Sequence, residues 1–248
     1  MKHLIAKVGK LAGILPVPSW RRALLRQHVA AGVEHAGVLR HLGALRMVVD
    51  VGANRGQFAL AARHFFPQAK IVSFEPLAGP AAVYRAVFAG DARTTLVEAA
   101  LGPQSGEAMI HLSARDDSSS LLSITAAQNA LFSGTAEVGT TTIRVERLTE
   151  HVQVGTIAAP ALLKLDVQGF ELQALIGCED LLEEFAWVYA ECSFVELYAG
   201  QAFADEIIDW LRQRGFALRG VYHMVYDDQG RAVQADFLFG RPDTRIGD

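Results

Sequence analysis

The chain has 248 residues, 51% of them hydrophobic, and a formal net charge of −4. That suits one α/β domain with an extension and a sizeable core, and excludes a disordered or collagen-like chain. Two cysteines, Cys178 and Cys192, without C-x-x-C spacing argue against a disulfide framework or a structural zinc, and no run approaches the roughly 20 apolar residues that cross a bilayer.

Residues 1–45 read as a basic helical extension. Eight Lys/Arg stand against Glu34 in residues 1–46, a net of +7, so the remainder carries −11. Leu4, Val8, Leu11 and Leu15 recur at helical spacing, Pro16 and Pro18 break that helix, and Trp20 opens another. Lys7 and Lys10 interrupt the apolar start and no small-residue cleavage site follows, so a cytoplasmic protein is expected rather than a secreted one. The favoured role for this segment is packing on the core or on a second subunit, as in a homodimer. Its basic amphipathic character also suits peripheral contact through residues 1–30 with the inner face of an anionic membrane, near lipid-linked glycans.

A domain over residues 46–248 opens with the β-branched run Met47 to Val51, a strand, then the turn Gly52 to Gly56 and the helical pattern Phe58, Leu60, Ala61, Ala62, Phe65. Such a junction offers free backbone N–H groups and a helix N-terminus to a ligand, and its glycines supply positive φ and keep side chains out of the way. It is a poor dinucleotide loop, because Asn54 and Gln57 stand where the second and third glycines of G-x-G-x-x-G belong. Asn54 can still take a left-handed conformation. Asp50 just below the loop suits a cationic ligand and sits poorly beside a pyrophosphate. A second strand, Lys70 to Phe74, ends in Glu75-Pro76, where a doubly wound fold holds both ribose hydroxyls of an adenosine on one carboxylate. Adenosine with a cationic tail describes S-adenosylmethionine.

Further along, a helix is expected near Ala81 to Phe88 and a third strand at Thr95 to Ala100. Strands near Ala108 to Leu112 and Thr141 to Val145 flank a long polar segment containing Arg115-Asp116-Asp117-Ser118-Ser119-Ser120, which reads as a mobile lid or binding loop. The strand Ala161 to Leu165 delivers Asp166 to the crevice beside the first strand, and Gly169 leads into a helix through Leu172, Leu175, Ile176 and Leu181. Trp187 to Ala190 brings Glu191 to the same rim. Lys164 and Glu171 either pair beneath the site or act in it. Phe203, Ile207, Ile208 and Leu211 form an amphipathic helix, and Phe216 to Tyr222 with Ala235 to Phe239 form an antiparallel pair turning at Asp227 to Gly230.

The series VVDVGANRGQF, VSFEP, AALG, SSSL, LLKLDVQGFE and AEC resembles the FkbM family of S-adenosylmethionine-dependent methyltransferases, from about Arg46 to about Arg241. The first block marks only the wider class I group; K-x-D-V-Q-G-x-E in this order is far more specific. The resemblance implies a doubly wound, mostly parallel seven-stranded sheet with helices on both faces and a reversed last strand, and O-methylation of a sugar or polyketide-like hydroxyl. It places Asp50, Gly52, Ala53, Asn54 and Gly56 in the cofactor loop, Glu75 and Pro76 at the ribose, Ala99 and Ala100 at the adenine edge, and Ser119, Asp166 and Glu191 near the methyl. Cys192-Ser193 after Glu191 departs from the family's usual polar or aromatic residues, so the acceptor does not carry over.

A weakly nucleophilic hydroxyl needs a base. Asp166 is the first choice, then Glu191, then His223, although Asp166 equally suits the amine of the cofactor. No metal is assigned, because no third ligand accompanies Asp166 and Glu191 at a telling spacing. A small-molecule or glycan acceptor is expected and nucleic acid is not, given the acidic body and the lack of an N-P-P-Y-like motif. A silent cofactor-binding adaptor is the alternative reading, and a nucleotide-dependent oxidoreductase a weaker one.

Overall fold

In the computed structural model, which describes residues 10–244, the strand β1 (Met47–Val51) is buried along its whole length. Its residues alternate between two cores. Val49 and Val51 join one apolar cluster and Val48 the other, as in a parallel sheet covered on both faces. After β1 come α3 (Gln57–Phe65), β2 (Lys70–Phe74), α4 (Ala78–Val87) and β3 (Thr94–Val97), preceded in the chain by α1 (Pro18–Gln27) and α2 (Ala36–Leu39). The remaining elements are β4 (Ala100–Leu101), β5 (Gly106–Ser113), α5 (Ala126–Leu131), β6 (Glu137–Glu146), β7 (Ala161–Leu165), α6 (Glu171–Gly177), β8 (Trp187–Ser193), α7 (Ala204–Gln213), β9 (Ala217–Tyr226) and β10 (Ala232–Gly240).

Seven strands form the main sheet in the order β3-β2-β1-β7-β8-β10-β9. β1 pairs in parallel with β2 and β7, and β7 with β8, whereas β10 runs antiparallel to both β8 and β9. The strand order reverses between β1 and β7, so the ends carrying Gly52 and Asp166 frame the crevice where such sheets bind ligands.

Three expectations change. The third strand does not run through to Ala100. It ends at Val97, and Ala100 and Leu101 join a separate three-stranded sheet, β4-β6-β5, outside the strand-helix alternation. The stretch between β5 and β6 is not a bare loop. It forms a 3-10 turn over Asp116–Ser118 and the helix α5, with Ser118, Ser120 and Gln128 buried. The helix after Gly169 stops at Gly177, packed against the Gly102 backbone with no room for a side chain, and the chain continues as a 3-10 helix, Glu179–Glu184.

Of the expected first helix, Leu4 and Val8 lie outside the described residues, and residues 10–14 are helical. Pro18 opens α1, which ends at His28 in a left-handed conformation, φ 56°. Ile14, Trp20, Ala23, Val29 and Val38 belong to the same core cluster as Val48 and Leu162, so this part of the chain packs against one face of the sheet. Trp20 is buried and its indole N–H donates to the Leu60 carbonyl at 2.9 Å. Trp20→Ala should therefore cost about 3–5 kcal/mol of stability by urea unfolding. An unchanged midpoint would mean that α1 contributes nothing to the core.

Candidate active site

Strand ends, the loop after β1 and the segment between β5 and β6 enclose a cleft of about 480 Å3, within the range of small-molecule sites. The turn after β1 has the predicted handedness: Gly52, Asn54 and Gly56 take φ of 78°, 46° and 91°. Its glycines answer to packing more than to ligand access. A Cβ on Gly52 would strike the Asp166 carbonyl, and one on Gly56 would meet the rings of Phe88 at 2.7 Å and Tyr84 at 3.0 Å.

Glu75, at the tip of β2, is 5% exposed and lines the cleft. Its Oε2 accepts the Asn54 backbone N–H at 2.9 Å and its Oε1 that of Leu77 at 2.8 Å. Each oxygen keeps a lone pair for a further donor. Burial pushes the carboxyl up to about 7, against the pull of those two N–H groups.

Below the loop, Asp50 is fully buried and does not line the cleft. The cation it faces belongs to the chain: Lys164 Nζ, one strand away on β7, lies 3.3 Å from Asp50 Oδ1, 3.3 Å from the Gly52 carbonyl and 3.7 Å from Asp166 Oδ2. Burial lowers the pKa of the ammonium, but Asp50 and Asp166 together raise it above its ordinary value. Of the two readings for Lys164 and Glu171, the ion pair does not form. Glu171 instead turns its carboxylate to the backbone N–H groups of Val167 and Gly169, capping the turn that carries Asp166, and burial raises it to about 7.

Asp166 lines the cleft with its side chain 37% exposed. Gln168, held at φ 57°, donates from Nε2 to Asp166 Oδ1 at 2.7 Å and to Glu191 Oε2 at 3.3 Å. Its Oε1 accepts the Tyr198 hydroxyl at 2.6 Å and its carbonyl the Ser120 hydroxyl at 2.6 Å. Gln168 thus links both carboxylates to the segment after β5. Neither it nor Tyr198 emerged from the sequence as a candidate; the polar Gln168 in an otherwise tight D-V-Q-G turn was the one available signal. Arg55 fastens the same segment to the loop after β1, its Nε 3.1 Å from Asp116 Oδ2.

Of the other predicted residues, Ala53, Pro76, Ala100 and Ser119 line the cleft with Gly52, Asn54, Glu75 and Asp166, whereas Gly56 and Ala99 do not. Glu191 sits within β8 behind Gln168, held by Gln234 Nε2 at 2.7 Å. Burial, then the charges of Asp166 and Asp236, raise its pKa well above the usual carboxylate range. His223 lies outside the cleft on β9, 2.7 Å from Asp236 Oδ2 and 2.7 Å from the Glu34 carbonyl. Conversely, Glu34 and His35 line the cleft although nothing in the extension marked them.

Residues 50–218 match the profile of the methyltransferase FkbM domain. Among curated proteins, the chain is 26% identical over 171 residues to the 2-O-methyltransferase NoeI of Sinorhizobium fredii (strain NBRC 101917 / NGR234), covering 66% of this chain and 70% of that one. Among solved structures it is similar to the O-methyltransferase NcsB1 from neocarzinostatin biosynthesis, in complex with S-adenosyl-L-homocysteine and 1,4-dihydroxy-2-naphthoic acid. There the TM-score is 0.46 at 14% identity, with 88% of this chain and 56% of that chain covered. An rRNA methylase from Streptococcus thermophilus gives a TM-score of 0.43 at 13% identity, covering 84% and 94%.

The buried Asp50–Lys164 contact makes a sharp demand on stability. Lys164→Met leaves a buried carboxylate without its cation and should cost about 3–5 kcal/mol in urea unfolding. Adding Asp50→Asn to that variant should recover most of the loss. Equal stabilities of the single and double variants would show that the two groups are not coupled.

Proposed function

Since the chain belongs to the FkbM methyltransferase family, we propose that it takes a methyl group from S-adenosylmethionine and places it on a hydroxyl oxygen of a small-molecule or glycan acceptor. The observation that carries this reading is Glu75. A buried carboxylate at the second strand tip, already accepting one backbone N–H on each oxygen, has the spare acceptor capacity that two vicinal ribose hydroxyls require. The residues of the cleft fit the rest of the donor. Leu77, Leu101 and Ile110 supply an apolar wall for the adenine, and Asp166 is the exposed carboxylate suited to the amine.

When bound, the donor supplies an activated methyl on a good leaving group. The chain then has to align the acceptor, keep water out and take up a proton. The segment after β5, tied down through Arg55–Asp116 and Ser120–Gln168, closes the cleft over the strand tips. Asp166 serves either the amine or the acceptor's proton, not both; Glu191, the other candidate base, lies one residue layer behind it and is reached through Gln168. The likeness to NoeI, a 2-O-methyltransferase, supports a hydroxyl acceptor, and the −11 charge outside residues 1–46 speaks against nucleic acid. No helix among the described residues is long and apolar enough to cross a membrane. The exposed Leu11, Leu15 and Leu25 near Arg21, Arg22 and Arg26 support peripheral membrane contact by that segment.

Titration calorimetry with S-adenosylhomocysteine should give a one-to-one complex, with NAD giving no heat. Glu75→Ala should weaken it by about tenfold to a hundredfold, the cost of charge-assisted hydrogen bonds worth roughly 1.5–3 kcal/mol. Affinity held within twofold would refute the ribose assignment.

The elevated pKa of Glu75 adds a pH signature. Hydroxyl donors favour the carboxylate, so binding must expel the proton that Glu75 holds below about 7. Log affinity should therefore rise by about one per pH unit toward that value and level off above it. In Glu75→Gln the slope should vanish; a flat profile in the wild type would show that the carboxylate is not at the ligand.

A further inference from the structure

On the far side of Lys164 from the loop, the extension and the terminal hairpin meet at a cluster that the methyl-transfer reading leaves unused. His35, His223 and Asp236 each offer a ligand atom within 4.8 Å of the other two. The first approaches the carboxylate oxygen to 3.6 Å and the second to 2.7 Å. The Tyr189 hydroxyl stands among them, 2.8 Å from Asp236 Oδ2, 3.1 Å from His35 Nδ1 and 3.5 Å from His223 Nδ1. Five of the six edges joining these four atoms are between 2.7 and 3.6 Å, and the sixth joins the two imidazoles. A tetrahedral ion with bonds of about 2.0–2.1 Å has edges of about 3.3 Å, so rotamer adjustments that change these edges by up to about 0.6 Å would admit it.

Two independent features show that the cluster is built. His223 is held at φ 48°, a left-handed conformation that histidine seldom takes. It sits where the register between β9 and β10 slips, from Gln234 opposite Val225 to Asp236 opposite Tyr222, leaving His223 and Met224 opposite Ala235. A bulge of that kind turns a side chain toward a chosen point at some cost in strain. The second feature is the other ring nitrogen. His223 Nε2 lies 2.7 Å from the Glu34 carbonyl, which only accepts, so that nitrogen carries the proton. Nδ1 then faces the Asp236 carboxylate at 2.7 Å, a contact that calls for a positive species between the two atoms, either a second ring proton or a metal ion. A backbone carbonyl fixing one nitrogen while the other faces outward is the arrangement commonly found around metal-bound histidine.

We propose that His35, His223 and Asp236, with Tyr189 at the fourth corner, bind a first-row transition-metal ion, zinc being the best match. Two imidazole nitrogens with two oxygens suit zinc and its neighbours, whereas magnesium and calcium call for six or more oxygens. The ion would join His35, which lines the cleft, to the terminal hairpin, and so fix one wall of the site. The ligands come from positions too far apart in the chain for any spacing to betray them.

The test uses the full-length chain stripped with chelator. Zinc alone, titrated by calorimetry, should bind one ion per chain and raise the thermal midpoint, and cobalt(II) alone should show the intense visible bands of a four-coordinate site. His35→Gln, His223→Gln and Asp236→Asn should each weaken binding by more than about 100-fold, beyond the 10–100-fold usual for losing an outer partner. His64→Ala should leave it unchanged. If a ligand variant does not fold, NMR of the cobalt-loaded wild type decides instead: two exchangeable, strongly shifted imidazole N–H signals are expected. Folded wild-type chain that binds neither ion would mean that a proton alone bridges His223 and Asp236, and would overturn the proposal. So would binding that all three variants retain, or a cobalt spectrum with no imidazole N–H signals.

Discussion

An ammonium group in a protein interior is tolerable only among carboxylates, and the position of Lys164 between Asp50 and Asp166 organises the centre of this molecule. Its neighbours on the sheet are β1 and β8, the first supplying Asp50 and the Gly52 carbonyl, the second Tyr189. Lys164 therefore holds together the two strand ends between which the cleft opens. Phe58 packs beside it, with its ring centroid 5.4 Å from Nζ. The loop after β1 and the turn carrying Asp166 are both fastened to this one buried charge, so the spacing between the two sides of the cleft is set from below. Gly52 contributes to the same junction, since its lack of a side chain lets β1 approach the Asp166 carbonyl.

Above that base the cleft is assembled from distant parts of the chain. Glu75 and the loop amides face one end. Gln168, Asp166 and the segment after β5 close over the middle, and Glu34 and His35 form part of the other end. The family-matched stretch, residues 50–218, contains the first two groups but not the third. His35 meets Tyr189 and Asp236 through side chains from α2's preceding turn, β8 and β10, so a portion of the wall depends on residues at both extremes of the described chain.

Much of this was legible beforehand because it is local. Met47 to Val51 and Lys70 to Phe74 are continuous apolar or β-branched strands with turns at both ends, and the structure places them at those bounds. Positive φ at Asn54 follows from a short polar side chain that tolerates the left-handed region. What escaped is long-range. The break after Val97, which sends Ala100 into a second sheet, depends on pairing with Val145, 45 residues on. Lys164 and Glu171, seven residues apart across a strand-turn-helix junction, could by their charges either pair or act in the site. The turn instead points the lysine at a neighbouring strand and the glutamate at its own backbone. Asp50, read as the complement of a cationic ligand, meets the chain's own lysine for the same reason. His35, Tyr189 and Asp236 belong to three unrelated segments with nothing in their spacing to connect them.

The central claim is that the Glu75 end of the cleft receives the adenosine of S-adenosylmethionine. A crystal structure of the chain grown with S-adenosylhomocysteine tests it most directly. Both ribose hydroxyls should lie within about 3.2 Å of the Glu75 carboxylate oxygens, with the amine directed toward Asp166 and Lys164 still seated between Asp50 and Asp166. Electron density for the nucleoside anywhere else, or a Glu75 carboxylate left facing only the Asn54 and Leu77 amides, would contradict the account.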